Sequence, residues 1–504
     1  MVVEEAMVIG QQSISSWSGE ASYDLEDDLH SKVANYVAKM DVEPEALRVT
    51  FAYKALQGCA QALRLPASSV YLHRESFRSE KVSCFWSHSW HGGPWMKILS
   101  LMTRYNGLPA VLLGFFTAVL ATGLFSYGFL PGISGFPSDP GLKWSAWSLG
   151  SGFAVALITF FLWRPQQLVF LDGICVNQHD HQQKAASIFS LAGILKRSDQ
   201  MLVLWDSTWS DRLWCVFELS AFLKSKQASE RVLVISPTFL GPCSIILFIS
   251  VFIMMLPVII VPMLGLYSAS GQSVFLIPTC SAVLFIFVTG YFVVVALRRY
   301  FRSVETLKEK LRNINFDNTR CACCDQGHLC EGAPMLCDRR IVKKCVSIWF
   351  GSPEAFEDYV RSEVFQALVQ ELQENVFTRT WNLSVSIPIL WAFLDFGASW
   401  ALGEREEAAI GAWIEGIVLW FWCAPIFIDY CTFFARKYCK CGTSKFREVL
   451  QNLKVLLIGS VFFAVILTSY ILLTAGGLRA TGVFAGVWST LGLCHVLYDA
   501  FKAW

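Results

Sequence analysis

Six side chains able to ligate a soft metal crowd into the stretch RCACCDQGHLCEGAPMLCDRR: Cys321, Cys323, Cys324, His328, Cys330 and Cys337. Cys321 and Cys324 form a C-x2-C pair, His328 follows four residues later and Cys337 nine after that. Four thiolate or imidazole donors on short turns suit tetrahedral zinc, and Gly327, Gly332 and Pro334 permit the turns. The expected ligands are Cys321, Cys324, His328 and Cys337, with Cys323 and Cys330 as alternates. Coordination by protein alone would make the zinc structural, with no open catalytic position. The single C-x2-C pair also fits free cytosolic thiols or acylation near a membrane, and these readings stay open.

The other chemical features are acids in apolar company. Glu218 sits in SDRLWCVFELSAFL among Leu213, Val216, Phe217 and Leu219. Such a carboxylate either pairs with a neighbour such as Arg212 or Lys224, or is placed to meet a ligand. Asp395 and Glu415 fall inside two consecutive apolar stretches. Ionisable groups in lipid are costly and commonly functional, so a cation or proton pathway through them, as in a transporter or channel, is the alternative function. The plainer reading of this pair is hydrogen bonding to a neighbour such as Ser399, or snorkelling to the outer surface.

These residues must be positioned by elements of two kinds. The chain has 504 residues, 54% of them hydrophobic, with a mean hydropathy of +0.46, which is far from the composition of a soluble domain. Eight apolar stretches approach the length of a bilayer span: 108–130, 144–163, 243–266, 274–297, 381–402, 408–434, 455–474 and 480–498. Basic residues gather after the fourth stretch (RRYFRS) and after the sixth (ARKYCKCGTSKFR), while the alternate loops carry few. Basic loops stay cytoplasmic, so both termini are expected in the cytoplasm. A net charge of +1 gives no push toward nucleic acid, and the expected partner is the bilayer.

Four short runs read as buried parallel strands: VSCFWSHS (82–89), QLVFLD (167–172), QMLVLWD (200–206) and RVLVIS (231–236). Between the second and third lies a helical pattern, HQQKAASIFSLAGILKRS, and between the third and fourth lies the helix of Glu218. Alternation of strand and helix predicts a parallel α/β sheet. Open sheets of this kind bind ligands at the carboxyl ends of their strands. Ser87, His88, Trp90 and Asp172, near the ends of the first two strands, are therefore expected to line a crevice there.

The order CFWSHSW, VFLDGICVNQ, ILKRSDQMLVLWDSTWSDRLWCVFELSAF, VLVIS resembles a Toll/interleukin-receptor (TIR) domain over about a quarter of the chain. The Trp-Cys-x-x-Glu-Leu helix, Trp214 to Leu219, is the specific part of the likeness. The resemblance implies a flavodoxin-like fold and one of two roles: a scaffold that self-associates in signalling, or an enzyme that cleaves NAD between nicotinamide and ribose. In the enzymatic case it assigns the catalytic carboxylate to Glu218, with Ser87, His88, Trp90 and Asp172 toward the nucleotide. The chain departs from the family where a membrane hairpin takes the place of the first helix.

The expected organisation follows. Residues 1–80 form a cytosolic helical region with helices over 25–40 and 44–63. Residues 81–240 form the inserted TIR-like α/β domain, interrupted by a transmembrane hairpin at 107–164. A second hairpin spans 241–297. Residues 298–380 carry the cytosolic Cys/His loop and an amphipathic helix opened by Ser352 as N-cap and Pro353 at its first position. Residues 381–504 supply four membrane helices joined by a basic cytosolic loop at 435–454. The whole is an α-helical multi-pass membrane protein of about eight spans, with zinc as structural cofactor and NAD as substrate if Glu218 is catalytic.

Overall fold

The computed structural model describes residues 20–64, 70–134, 142–227, 230, 232–263, 272–330, 333–334, 336–366, 377–440, 444–474 and 478–503. The chain divides into two compact units, each assembled from separate stretches. One comprises Met1–Ser100, Arg164–Thr238 and Ser303–Gln373; the other comprises Leu101–Trp163, Phe239–Arg302 and Glu374–Trp504.

The first unit is built on a sheet of six strands. They are β1 (Arg48–Phe51), β2 (Phe77–Arg78), β3 (Val82–His88), β4 (Leu168–Phe170), β5 (Ser198–Trp205) and β6 (Val232–Pro237), in the spatial order β2-β1-β4-β3-β5-β6. The four strands from β4 to β6 in that order are parallel, with Phe85 opposite Phe170 and Met201, and Val203 opposite Ile235. These are the four runs expected from the sequence. Their apolar side chains pack on both faces, and Val82, Cys84, Val169, Phe170 and Met201 through Val203 are all buried. β1 and β2 add an antiparallel margin.

β1 lies inside a stretch expected to be helical. The helix begins only at Ala52 and runs to Arg64, because RVTF, rich in β-branched and aromatic side chains, pairs with β4 through Thr50 and Phe51. The helix expected between β4 and β5 is two: His181–Phe189, capped by the Asp180 carboxylate, and Leu191–Lys196. Gly193 explains the tight packing of the second, since a Cβ there would lie 2.5 Å from the Asp41 carbonyl oxygen. The same unit holds the Glu218 helix, Leu213–Ser225, and the helix Asp338–Phe350 that follows the cysteine cluster. Ser352 caps Pro353–Tyr359 as expected, accepting from the Ala355 N–H, and Phe356 in that helix and Val360 just after it are buried.

Among the described residues, six helices are long and apolar enough to cross a membrane: Pro94–Ser126, Leu240–Ile260, Arg379–Leu402, Glu406–Lys437, Lys445–Tyr470 and Leu478–Leu497. They support a membrane protein. Two of the eight expected spans are not among them. Trp147–Leu162 is apolar but only 16 residues long. The stretch 274–297 lies within the helix Gln272–Arg312, but the side chains of 272–286 fall outside the described residues. Within the second unit Arg379–Leu402 is central: 61% of its apolar window is buried, against 33% or less in the other five. Trp391 anchors it, and Gly152 lets Trp147–Leu162 approach, since a Cβ there would meet the Trp391 ring at 2.9 Å. Leu112, Phe116, Leu120, Leu457, Val461 and Val465 point outward, the arrangement lipid would cover.

Candidate functional site

β3 and β5 run side by side, and the Glu218 helix follows β5 in the chain. The Ser87 hydroxyl, at the carboxyl end of β3, donates to Glu218 Oε2 at 2.5 Å, and the Trp209 indole N–H donates to Ser87 Oγ at 2.9 Å. Trp209 and Ser87 are buried, and Glu218 is the partly exposed end of this relay. Burial pushes the half-buried Glu218 carboxyl up to about 8; the Ser87 donor works against that rise and the Asp172 charge adds to it. Ser87 and Glu218, distant in sequence, thus meet as one hydrogen-bonded pair. Trp209 carries little signal in the sequence, just an aromatic residue in the turn after a strand-ending acid, WDSTW.

A second group of side chains adjoins on β3 and β4. His88 Nε2 lies 3.3 Å from Asp172 Oδ1, and the Trp90 indole N–H donates to Asp172 Oδ2 at 2.9 Å. The His88 and Trp90 rings meet edge to face at 4.7 Å. The His88–Asp172 approach is an ion-pair separation without hydrogen-bond alignment, and His88 Nδ1 has no hydrogen-bond partner among the described residues. Burial opposes ionisation of Asp172, but His88, Trp90 and the Gly173 N–H outweigh it and hold its carboxyl below the ordinary range. The rim therefore carries two carboxyls pushed in opposite directions, Glu218 up and Asp172 down. All five residues expected at this rim are brought to these two groups.

The loop after β3 is pinned from beneath. Lys97, buried, donates to the Ser89 carbonyl and to the Gly92 carbonyl at 3.3 Å, and its Nζ lies 3.7 Å from Asp206 Oδ2. Asp206 accepts from the Thr208 N–H at 2.8 Å, and the Ser89 and Thr208 hydroxyls are 2.7 Å apart. Gly92 is required here, because a Cβ would fall 1.7 Å from Asp206 Oδ2. Cys215 is a packing residue: its Sγ faces the His88 carbonyl at 3.5 Å and burial raises the thiol well above its usual value.

The cysteine stretch also closes on itself. The ligand atoms of Cys323, Cys324, His328 and Cys337 all lie within 4.8 Å of one another and could hold a metal ion. Gly327 and His328 take left-handed backbone conformations, φ +65° and +60°, and turn the chain back toward the thiols. Cys323 here stands where Cys321 was expected. Cys321 precedes the short helix Ala322–Asp325 and falls into a second group with Cys323 and Asp338, its Sγ only 3.0 Å from that of Cys323. The side chain of Cys330 lies outside the described residues.

The two acids of the membrane helices differ from Glu218. Asp395 is fully buried and accepts from the Ser145 hydroxyl at 2.5 Å, the Ser148 N–H at 2.8 Å and the Leu149 N–H at 2.9 Å. It caps the amino end of Trp147–Leu162 from another helix. Glu415 accepts from Tyr470 at 3.0 Å and Thr481 at 3.1 Å and borders a cavity of about 670 Å³ that Glu404, Arg405 and Glu407 also line. No protein-family model, curated protein or solved structure matches this chain.

Proposed function

We propose that this is a membrane-anchored TIR-like signalling protein whose α/β unit cleaves NAD through Glu218. The observation that carries the proposal is the Trp209–Ser87–Glu218 relay at the carboxyl edge of the parallel strands, beside the rim of His88, Trp90 and Asp172. Cleavage breaks the bond between the nicotinamide nitrogen and ribose C1′, the electron pair leaving with nicotinamide. Water adds at C1′ and loses a proton, giving ADP-ribose. The ribosyl centre gains positive charge in the transition state, and a carboxylate beside it lowers that charge's cost. The cationic pyridinium of bound NAD favours the ionised form of a carboxyl that burial otherwise protonates. Trp90, which is partly exposed, offers a flat face for a ring, and buried His88 backs it edge to face. Ser87 fixes the carboxylate's rotamer.

Both termini are assigned to the cytoplasm on the basic loops, so the α/β unit would meet cytosolic NAD. Self-association through that unit is the accompanying signalling role. The bonds that surround Asp395 favour a structural part for it over a transport pathway. The cysteine cluster is assigned a structural zinc. Thiolates about 2.3 Å from a tetrahedral zinc stand about 3.8 Å apart. The Cys323–Cys324 and Cys324–Cys337 sulfur pairs, at 3.9 and 3.7 Å, have that spacing; Cys321 and Cys323, at 3.0 Å, do not.

The test is nicotinamide release by the full chain in lipid, followed by chromatography. The wild type is expected to turn NAD over and Glu218→Gln to lose at least about 100-fold. Equal release by both folded proteins, or none from either, would refute cleavage through Glu218.

A further inference from the structure

The cysteine cluster touches more than its own loop. The backbone N–H of Cys337 donates to His30 Nε2 at 3.0 Å, and His30 Nδ1 faces the Glu26 carbonyl at 2.6 Å. His30 is fully buried, and these two contacts fix its tautomer: Nδ1 carries the proton and Nε2 accepts. The helix Glu20–Ala38 is thus tied to a cluster residue 307 positions later. On the other side, Asp338 follows Cys337 directly. Its N–H donates to Cys323 Sγ at 3.3 Å, and its Oδ2 accepts from the Trp214 indole N–H at 3.2 Å. Trp214 is in the first turn of the Glu218 helix, one turn ahead of Glu218 itself. Lys224, at the far end of that helix, donates to the Trp349 carbonyl at 2.7 Å, and Trp349 in turn donates to the Ala38 carbonyl at 3.0 Å.

We propose that zinc at Cys323, Cys324, His328 and Cys337 is the pin on which the Glu20–Ala38 helix and the Glu218 helix close, with His30 and Asp338 as positioning residues. The inference rests on the zinc reading above. The donors fit the ion: three thiols and one imidazole, with Cys323 and Cys337 buried and a main-chain N–H already directed at a sulfur. Without the ion, three thiolates would repel and three thiols would leave the loop without a common centre. The His30 and Asp338 contacts would then have no fixed partner. Loaded, the loop holds Asp338 where Trp214 needs it, which sets the first turn of the helix carrying Glu218.

The experiment uses the full chain in detergent. Zinc per chain is measured by elemental analysis, and backbone hydrogen exchange is followed in peptides covering 26–38 and 213–225. We expect one zinc per chain. Chelation should speed exchange about tenfold in both peptides, the equivalent of one lost hydrogen bond in each. Cys337→Ser should do the same while losing the metal. Trp214→Phe keeps the ring and removes its N–H; it should retain zinc, speed exchange in 213–225 and leave 26–38 protected. Folded protein, supplied with zinc, that holds none would overturn the zinc reading and the pin with it. Zinc bound, but exchange changing only within 321–340 on its removal, would overturn the pin alone.

Discussion

Glu218 and Asp395 are both acids surrounded by apolar side chains, and the structure treats them oppositely. Asp395 is fully buried and receives three hydrogen bonds, two from main-chain N–H groups at a helix start. Its acceptor capacity goes to holding Trp147–Leu162 in place. Glu218 is half-buried and receives one, from Ser87, at the edge of a parallel sheet. A carboxylate saturated by fixed donors is a structural part. A carboxyl that accepts one hydrogen bond at the edge of a parallel sheet keeps acceptor capacity for a ligand, as the proposed reaction requires. The identity of an acid does not separate the two cases; the count of its donors does.

The largest effect of breaking this contrast is on stability. Asp395→Ala strands the Ser145 hydroxyl and the Ser148 and Leu149 N–H groups, and each buried unmet donor costs about 1–3 kcal/mol. A drop in apparent melting temperature well beyond that of Glu415→Ala is expected in a thermal-shift assay, with NAD turnover of the surviving folded protein unchanged. A smaller effect belongs to Ser87. Its hydroxyl favours the Glu218 carboxylate, so Ser87→Ala should raise the Glu218 pKa further. In wild type, kcat/KM for NAD should climb as pH rises through about 8, because the working form is the carboxylate. In Ser87→Ala the climb should move to higher pH, and an unmoved profile would remove Ser87 from the account. A third effect, seen only as pH is varied, is the linkage of Glu218 to folding. A carboxyl whose folded pKa is about 8 binds its proton more tightly folded than unfolded, so its contribution falls as pH rises from about 4.5 to about 8. Glu218→Gln should flatten that part of the stability–pH curve, measured by denaturant melts.

Much of this was legible in the sequence where the pattern is local. The runs around Phe85, Phe170, Val203 and Ile235 are apolar on both faces, and each became a parallel strand. The rule that ligand sites gather at carboxyl strand ends points to Ser87, His88, Trp90 and Asp172, while Glu218 stands out as an acid in an apolar helix and through the TIR resemblance. What escaped depends on distance in the chain or on backbone turns. β1 was hidden because four residues of strand run straight into a helix with no punctuation, and only pairing with β4 makes them extended. C-x2-C spacing favours Cys321 and Cys324, whereas the helical turn from Ala322 brings Cys323 to the other donors. The Cys337–His30 contact joins residues no window of sequence could relate. The membrane acids carried the same composition signal as Glu218, and only their donors tell them apart.

The most direct test of the account exchanges the two acids in parallel. Glu218→Gln and Asp395→Asn are made in the full chain, and nicotinamide release and apparent melting temperature are measured for both in lipid. The account predicts that Glu218→Gln loses release without loss of melting temperature, and that Asp395→Asn lowers melting temperature without loss of release per folded molecule. Release that depends on Asp395 and ignores Glu218 would contradict it.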